Sequence, residues 1–251
     1  MRFLLYNIRY ATGHNNAYHV PFPFSGFFRT THRKLDEIID FIATYSPDVV
    51  GLVEVDSGSY RSGNSCQAEV IATALGYSHV AETKYGNGRL TSKVPVLNKQ
   101  SNAILTRQGI ASHHFHYFDE GLKRLVIQAE VDSVLFFIVH LSLKYRHRQY
   151  QLHRLHQLLK NVDKPVILAG DFNTFRGSDE LELFLAATGL KSANPNGWPS
   201  HPSHSPHRQL DFILHSKELQ IHSFAIPEIQ LSDHSPLICD LSYAESLLPS
   251  C

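Results

Sequence analysis

An α/β fold of two or more layers is what this sequence predicts, and three observations predict it. Short apolar runs without alternation, such as Val166-Ile167-Leu168, read as strands buried on both faces. Between such runs lie segments whose apolar residues recur at the helical period. With 251 residues and 43% hydrophobic content, the chain is long enough and apolar enough to bury a substantial core. No linker or internal repeat divides it, so residues 1–251 are expected to form a single domain.

In chain order, Phe3 to Tyr10 begins as a strand and carries Asn7 near its end. An Asn inside an apolar strand either finds hydrogen bonds in the core or lines a site. Residues 11–31 form a long connection with Tyr18, Phe22, Phe24, Phe27 and Phe28, aromatic enough to argue against disorder. It reads as a loop folded on its own small core, or as an apolar lip for a lipid or a base. Leu35, Ile38, Ile39 and Ile42 then place a helix over Thr31 to Tyr45, stopped before Ser46-Pro47. Asp48 to Asp56 is a buried strand ending in carboxylates. Burying Glu54 uncompensated is expensive, so a metal or a cation is expected beside it, while Asp56 is expected to be solvated.

A second helix spans Asn64 to Leu75 and closes on Gly76. Short strands follow at His79–Glu82 and Lys99–Arg107. Leu125–Val131 and Val134–Leu141, separated by Asp132-Ser133, read as a hairpin with His140 at the end of its second arm. His147 to Lys160 is helical, with Leu152, Leu155, Leu158 and Leu159 on one face and Arg148, His153 and His156 on a face expected to be solvated. Pro165 to Thr174 is a buried strand leading into Asp171-Phe172-Asn173, where an Asx-type turn and a catalytic pair are both open readings. Asp179 to Thr188 is a helix capped by Gly189. Asn194 to Arg208 is a loop by composition; its His201, His204 and His207 have no carboxylate or cysteine among them, so zinc is not expected there. Gln209–Leu214 is a strand bearing Asp211, and Ser232-Asp233-His234 leads into a last strand, Leu237–Leu241.

Twenty-three basic and 23 acidic side chains cancel, so composition demands no strongly basic nucleic-acid face. Cys66, Cys239 and Cys251 lack metal spacing and read as buried or terminal thiols of a reducing compartment. Phe3–Ile8 is too short for the core of a signal peptide, and Val134–Val139 is far too short to span a membrane. A cytoplasmic monomer is therefore expected.

Asn7, Glu54, His140, Asp171, Asn173, Asp211, Asp233 and His234 all lie at or beside expected strand ends. Oxygen donors without matching cysteines suit a hard divalent cation, Mg2+ or Mn2+. Two histidines beside carboxylates suit proton transfer. Together they suit metal-assisted hydrolysis of a phosphoester. Six motifs, in order, then carry a resemblance: Asn7-Ile8-Arg9, Pro47 to Glu54, Val139-His140-Leu141, Gly170 to Asn173, Leu210 to Ile213, and Ser232-Asp233-His234. The chain resembles the endonuclease/exonuclease/phosphatase family, which includes deoxyribonuclease I, abasic-site endonucleases, neutral sphingomyelinases and inositol-polyphosphate phosphatases.

That resemblance implies a four-layer α/β sandwich, two mixed sheets face to face with helices outside. It implies Glu54 as the main metal carboxylate, with Asn7 on the metal or phosphate and Asp233 on the metal side. Asp171 and Asn173 resemble the pair that orients the attacking water and holds phosphoryl oxygens, with Asp171 also near the metal. His234 resembles the catalytic histidine, Asp211 the carboxylate that fixes its tautomer, and His140 a second histidine with Glu82 as its partner. Arg9 matches an arginine near the phosphate or is a salt-bridge residue. The sequence departs from the abasic-site branch at Asn98 to Asn102, where a tyrosine is expected; Lys99 there approaches a phosphate or is a solvated loop lysine. No long Lys/Arg tract serves a duplex, which leaves DNA or RNA, a phospholipid head group and a small phosphoester all open as substrate.

Overall fold

The apolar runs become strands because both of their faces find cover. The computed structural model describes residues 1–13, 31–84 and 97–244. In chain order the strands are β1 (Arg2–Asn7), β2 (Val49–Asp56), β3 (Ser78–Thr83), β4 (Gln100–Thr106), β5 (Ser112–Tyr117), β6 (Leu125–Val131), β7 (Val134–His140), β8 (Val166–Asp171), β9 (Lys191–Ser192), β10 (Asp211–His215), β11 (Leu219–Ala225) and β12 (Leu237–Tyr243). The helices are α1 (His32–Tyr45), α2 (Gln67–Leu75), α3 (Tyr145–Leu159) and α4 (Glu182–Thr188).

Two six-stranded sheets result, ordered β11-β12-β1-β2-β4-β3 and β5-β6-β7-β8-β10-β9. Each is mixed: β1 with β2 and β7 with β8 are parallel, and the remaining neighbours are antiparallel. Phe3, Leu5 and Ile104 of the first sheet meet Ile127, Phe136 and Ile138 of the second in a shared core. At Gly51 the sheets are so close that a Cβ would lie 2.6 Å from Ile138 Cδ1. The outer face of the first sheet packs under α1 and α2 through Leu4, Val50, Ile38 and Ile71. The outer face of the second packs under α3 and α4 through Phe137, Leu168, Leu155 and Phe184. Helices, sheet, sheet and helices make a four-layer sandwich. With helices or a second sheet on each face, central strands have no solvent side, which is why their residues do not alternate.

The helix at 32–45 and the hairpin across Asp132-Ser133 stand where the sequence placed them. Both turn residues have positive φ, the geometry that a tight hairpin turn requires. Other elements differ. α2 begins at Gln67 rather than Asn64, and the segment after Gly177 opens as a 3-10 turn (Ser178–Leu181) before α4. Lys99 ends a 3-10 turn (Leu97–Lys99) instead of opening β4. Strands β5, β9 and β11 have no counterpart in the sequence reading. Most of the aromatic connection read at 11–31 lies outside the described residues.

Two charged groups expected in solvent are buried. Asp56 is fully enclosed, accepting from Ser59 N at 2.7 Å and from Arg61 Nη2 at 2.9 Å. Arg148 is only 2% exposed; it pairs with Glu180 and donates to the carbonyls of Ser142 and Leu143. In each case a partner of opposite charge offsets the desolvation that made burial look unfavourable.

Candidate active site

Strand register assembles most of the site. In the second sheet His140 of β7 lies beside Asp171 of β8, and Asp171 lies opposite Asp211 of β10. Three residues far apart in sequence thus form one row across adjacent strand ends. In the first sheet Asn7 is the last residue of β1, paired with Val53 of β2, and Glu54 follows immediately. The β2–β4 ladder is interrupted by a bulge between Leu52 and Val55, where Glu54 has φ 58° and its N–H faces Asn102 Oδ1 at 3.4 Å. A bulge re-aims a side chain; here it presents Glu54 towards the second sheet, 3.8 Å from His140 Nδ1.

The row closes through direct contacts. Asp171 Oδ2 lies 3.1 Å from His140 Nε2, accepts from Asn7 Nδ2 at 3.2 Å, and stands 3.9 Å from His234 Nε2. Its other oxygen accepts from Asn173 N at 2.9 Å, so the Asx turn exists and serves the cluster. Asn173 holds φ 52° and donates from Nδ2 to Leu141 O at 2.8 Å. Gly170 allows this geometry: its φ is 149°, and a Cβ there would collide with the Val139 carbonyl. His234 Nδ1 donates to Asp211 Oδ2 at 2.7 Å, and that oxygen also accepts from Ser200 Oγ at 2.6 Å.

Charge follows from these distances. Burial alone would raise the Glu54 carboxyl, but the ammonium groups of Lys84 and Lys123, with His140, outweigh it and hold it at about 2. Burial pushes His140 down to about 3, helped by the same two lysines against the pull of Asp171. Burial works against His234 too, yet the Asp211 carboxylate and its hydrogen bond lift the ring to about 10. The two histidines therefore differ in charge near neutral pH, His140 neutral and His234 an imidazolium. Asp171 stays well below the usual carboxylate range because His140 and His234 offset its burial.

Residues 5–234 match the endonuclease/exonuclease/phosphatase family. The chain belongs to this family. Members of the endonuclease/exonuclease/phosphatase family are hydrolases of phosphoesters. No curated protein sequence matches the chain. Solved structures share its fold at low identity. A family protein from Bacteroides thetaiotaomicron superposes with a TM-score of 0.73 at 16% identity, over 97% of this chain and 98% of that one. A mannosyl-6-phosphatase from the same organism gives 0.70 at 17%, over 97% and 100%. The catalytic domain of human Nocturnin, solved with a sulfate anion, gives 0.69 at 20%, over 97% and 94%.

Among the residues that the sequence singled out, Asn7, Glu54, His140, Asp171, Asn173, Asp211 and His234 share this cluster. Asp233 is beside it, 3.4 Å from Arg9 Nε, so Arg9 is in a salt bridge. His201 joins them: its ring is 4.7 Å from that of His234, and a ligand atom from each of His201, Asp233 and His234 fits within 4.8 Å. His204 and His207 are exposed. Lys99 is fixed through its carbonyl, which accepts from Ser57 N at 2.8 Å. One expectation fails. Glu82 accepts from Thr83 and is not the partner of His140; that ring faces Lys84 Nζ at 3.2 Å on one side and Asp171 on the other.

Sequence reasoning missed Lys84 and Lys123. Lys84 directly follows β3, is buried, and has its ammonium 3.8 Å from Glu54 Oε1. Burial pushes it down to about 7 against the attraction of Glu54. Lys123, in the β5–β6 loop, sits 3.8 Å from the same oxygen and touches His140 Nε2. A lone lysine beside a strand end carries no sequence signal of burial. The donor chemistry of Glu54, Asn7 and Asp171, oxygens without thiolates, fits a hard divalent cation.

Proposed function

We propose that this chain is a Mg2+- or Mn2+-dependent phosphoester hydrolase, a single catalytic domain working as a cytoplasmic monomer. One observation supports it above the others: Asn7 and Glu54 from one sheet meet His140, Asp171, Asp211 and His234 at the seam with the other. Glu54, with Asn7 and Asp171 and with Asp233 nearby, would hold the cation. When bound, a divalent cation supplies positive charge to the phosphoryl oxygens as their negative charge grows. Asp171 and Asn173 orient a water for in-line attack on phosphorus, and the Asp171 carboxylate takes the proton that the water gives up as its oxygen bonds to phosphorus. Asn173 and Asn7 face the non-bridging oxygens, while His140, with Lys84 on one ring nitrogen and Asp171 on the other, holds the Asp171 carboxylate in place. His234, kept protonated by Asp211, gives its proton to the leaving oxygen as the ester P–O bond breaks. Arg9 holds Asp233 in place beside it.

The substrate is a nucleic acid, a phospholipid head group or a small phosphoester. The neighbour described as a mannosyl-6-phosphatase favours the small phosphoester, and the neutral overall charge supports the same choice. A panel of plasmid DNA, abasic duplex, sphingomyelin, phosphoinositides and sugar phosphates, each with and without Mg2+, tests the reading. Metal-stimulated turnover of at least one class is the expected result. If every member stays intact with both Mg2+ and Mn2+, the hydrolase reading fails, and the fold serves as a binding module.

A further inference from the structure

Lys84 and Lys123 stand on one wall of the site, and the role drawn from them rests on the phosphoester reading above. Both ammonium groups lie 3.8 Å from the same oxygen, Glu54 Oε1, so two positive charges share one negative. Neither reaches that oxygen at hydrogen-bond distance. Lys84 instead contacts Tyr10 Oη at 3.3 Å and His140 Nδ1 at 3.2 Å. An ammonium can only donate, so Nδ1 accepts and the ring proton sits on Nε2, aimed at Asp171 Oδ2 3.1 Å away. Lys123 lies beside the same ring, on its Nε2 side. Among the described residues its ammonium has Glu54 Oε1, at 3.8 Å, as its nearest carboxylate and no acceptor oxygen within hydrogen-bond distance.

The loop that delivers Lys123 is built to stay there. Gln151, fully buried on α3, accepts from Ser142 N at 2.9 Å and donates to Lys123 O at 2.7 Å and Glu120 O at 3.2 Å. Gly121, with φ 92°, lets this loop lie so close that a Cβ would collide with Ser142 Oγ. One buried amide thus ties the Lys123 loop to the chain just beyond His140. A surface lysine folded in by chance would have no such clamp.

We propose that Lys84 and Lys123 bind the non-bridging oxygens of a terminal phosphate, and that the preferred substrate is a phosphomonoester dianion rather than a diester. With Glu54 engaged by a cation, both ammonium groups are left for phosphoryl oxygens. A monoester at neutral pH carries close to two negative charges, its second pKa being about 6, whereas a diester carries one. Two ammonium groups on a fixed wall match the dianion and leave one of their charges unmet by a diester.

The test uses the full chain and Lys123→Met, read by calorimetry with inorganic phosphate, with and without Mg2+, and by kcat/KM on p-nitrophenyl phosphate and bis-p-nitrophenyl phosphate. Losing one charge-assisted bond should weaken phosphate binding by about 10- to 100-fold. The monoester rate should fall by a similar factor and the diester rate by less, moving the ratio towards diester at least about tenfold. Lys123→Arg should recover part of both. Lys84→Met should act in the same direction, with its thermal melt separating lost binding from lost folding. Unchanged phosphate affinity in Lys123→Met, or equal losses on the two esters, overturns the assignment while leaving the hydrolase reading intact. A wild type that binds phosphate through Lys123 but cleaves neither ester upholds the binding site and overturns the monoester preference, the hydrolase reading then resting on the substrate panel.

Discussion

At the scale of single residues, the site holds two identical side chains in different charge states, one neutral and one positive. His140 is buried between cations, and His234 is buried against a carboxylate. The lifted pKa of His234 is also a stability term, with a sign that can be checked. Its folded value, about 10, exceeds the unfolded value of about 6.5, so its contribution is full below pH 6.5 and lost as pH rises through 10. In Asp211→Asn that contribution disappears, and the gap in melting temperature between wild type and variant should shrink between pH 6 and pH 10. An NMR titration of the metal-free protein should find the His234 ring near pH 10 in wild type and well below it in the variant. For turnover, His234→Ala and Glu54→Gln should each cost roughly 10²- to 10⁴-fold, the loss expected if they are the proposed acid and the proposed cation ligand. Circular dichroism should remain unchanged. A variant that kept most of its activity would show that its residue has another role.

At the scale of elements, the site depends on two backbone devices, the bulge that turns Glu54 and the glycine that lets β8 end against Val139. Gly170→Ala forces a Cβ onto a carbonyl in the middle of the second sheet and should destabilise the protein by about 3 kcal/mol or more, measured by denaturant unfolding. The loop beyond β2 depends on the enclosed Asp56–Arg61 pair. Asp56→Ala leaves the Arg61 guanidinium without its carboxylate and should cost about 3–5 kcal/mol in the same measurement. The legibility of these elements followed their chemistry. β1, β2, β7 and β8 were readable because strands covered on both faces are runs of apolar residues. β5 was not, because Ser112-His113-His114 is largely exposed on an edge and the strand is held by backbone pairing with β6. β11 hid behind a shift of register between Ile221 and Ser223. The acids and imidazoles of the site were conspicuous at strand ends, whereas Lys84, Lys123 and Asp56 look like ordinary surface charges until their partners are in place. Only folding supplies those partners.

At the scale of the molecule, the candidate cation site belongs to neither sheet alone. Glu54 and Asn7 come from the first, Asp171 from the second, and a shared apolar core holds the sheets in contact. An unfolded chain scatters these donors across more than 160 residues, as the Asn7–Asp171 contact shows, so a cation should bind the folded state far better than the unfolded one. Binding and folding are then linked. At a concentration 100 times its dissociation constant, a ligand of the native state adds about 2.7 kcal/mol, which for a chain of this size raises the melting temperature by roughly 5–10 °C. Titrating Mg2+ or Mn2+ into metal-free protein should produce that rise, EDTA should reverse it, and Glu54→Gln should abolish most of it. Lys123→Met supplies the contrasting case. Removing a positive charge 3.8 Å from the Glu54 oxygen lowers the repulsion that an arriving cation meets, so its melting temperature should respond at lower metal concentration than that of wild type. A melt that ignores both metals in wild type would sink the cation assignment, whatever the activity assays return.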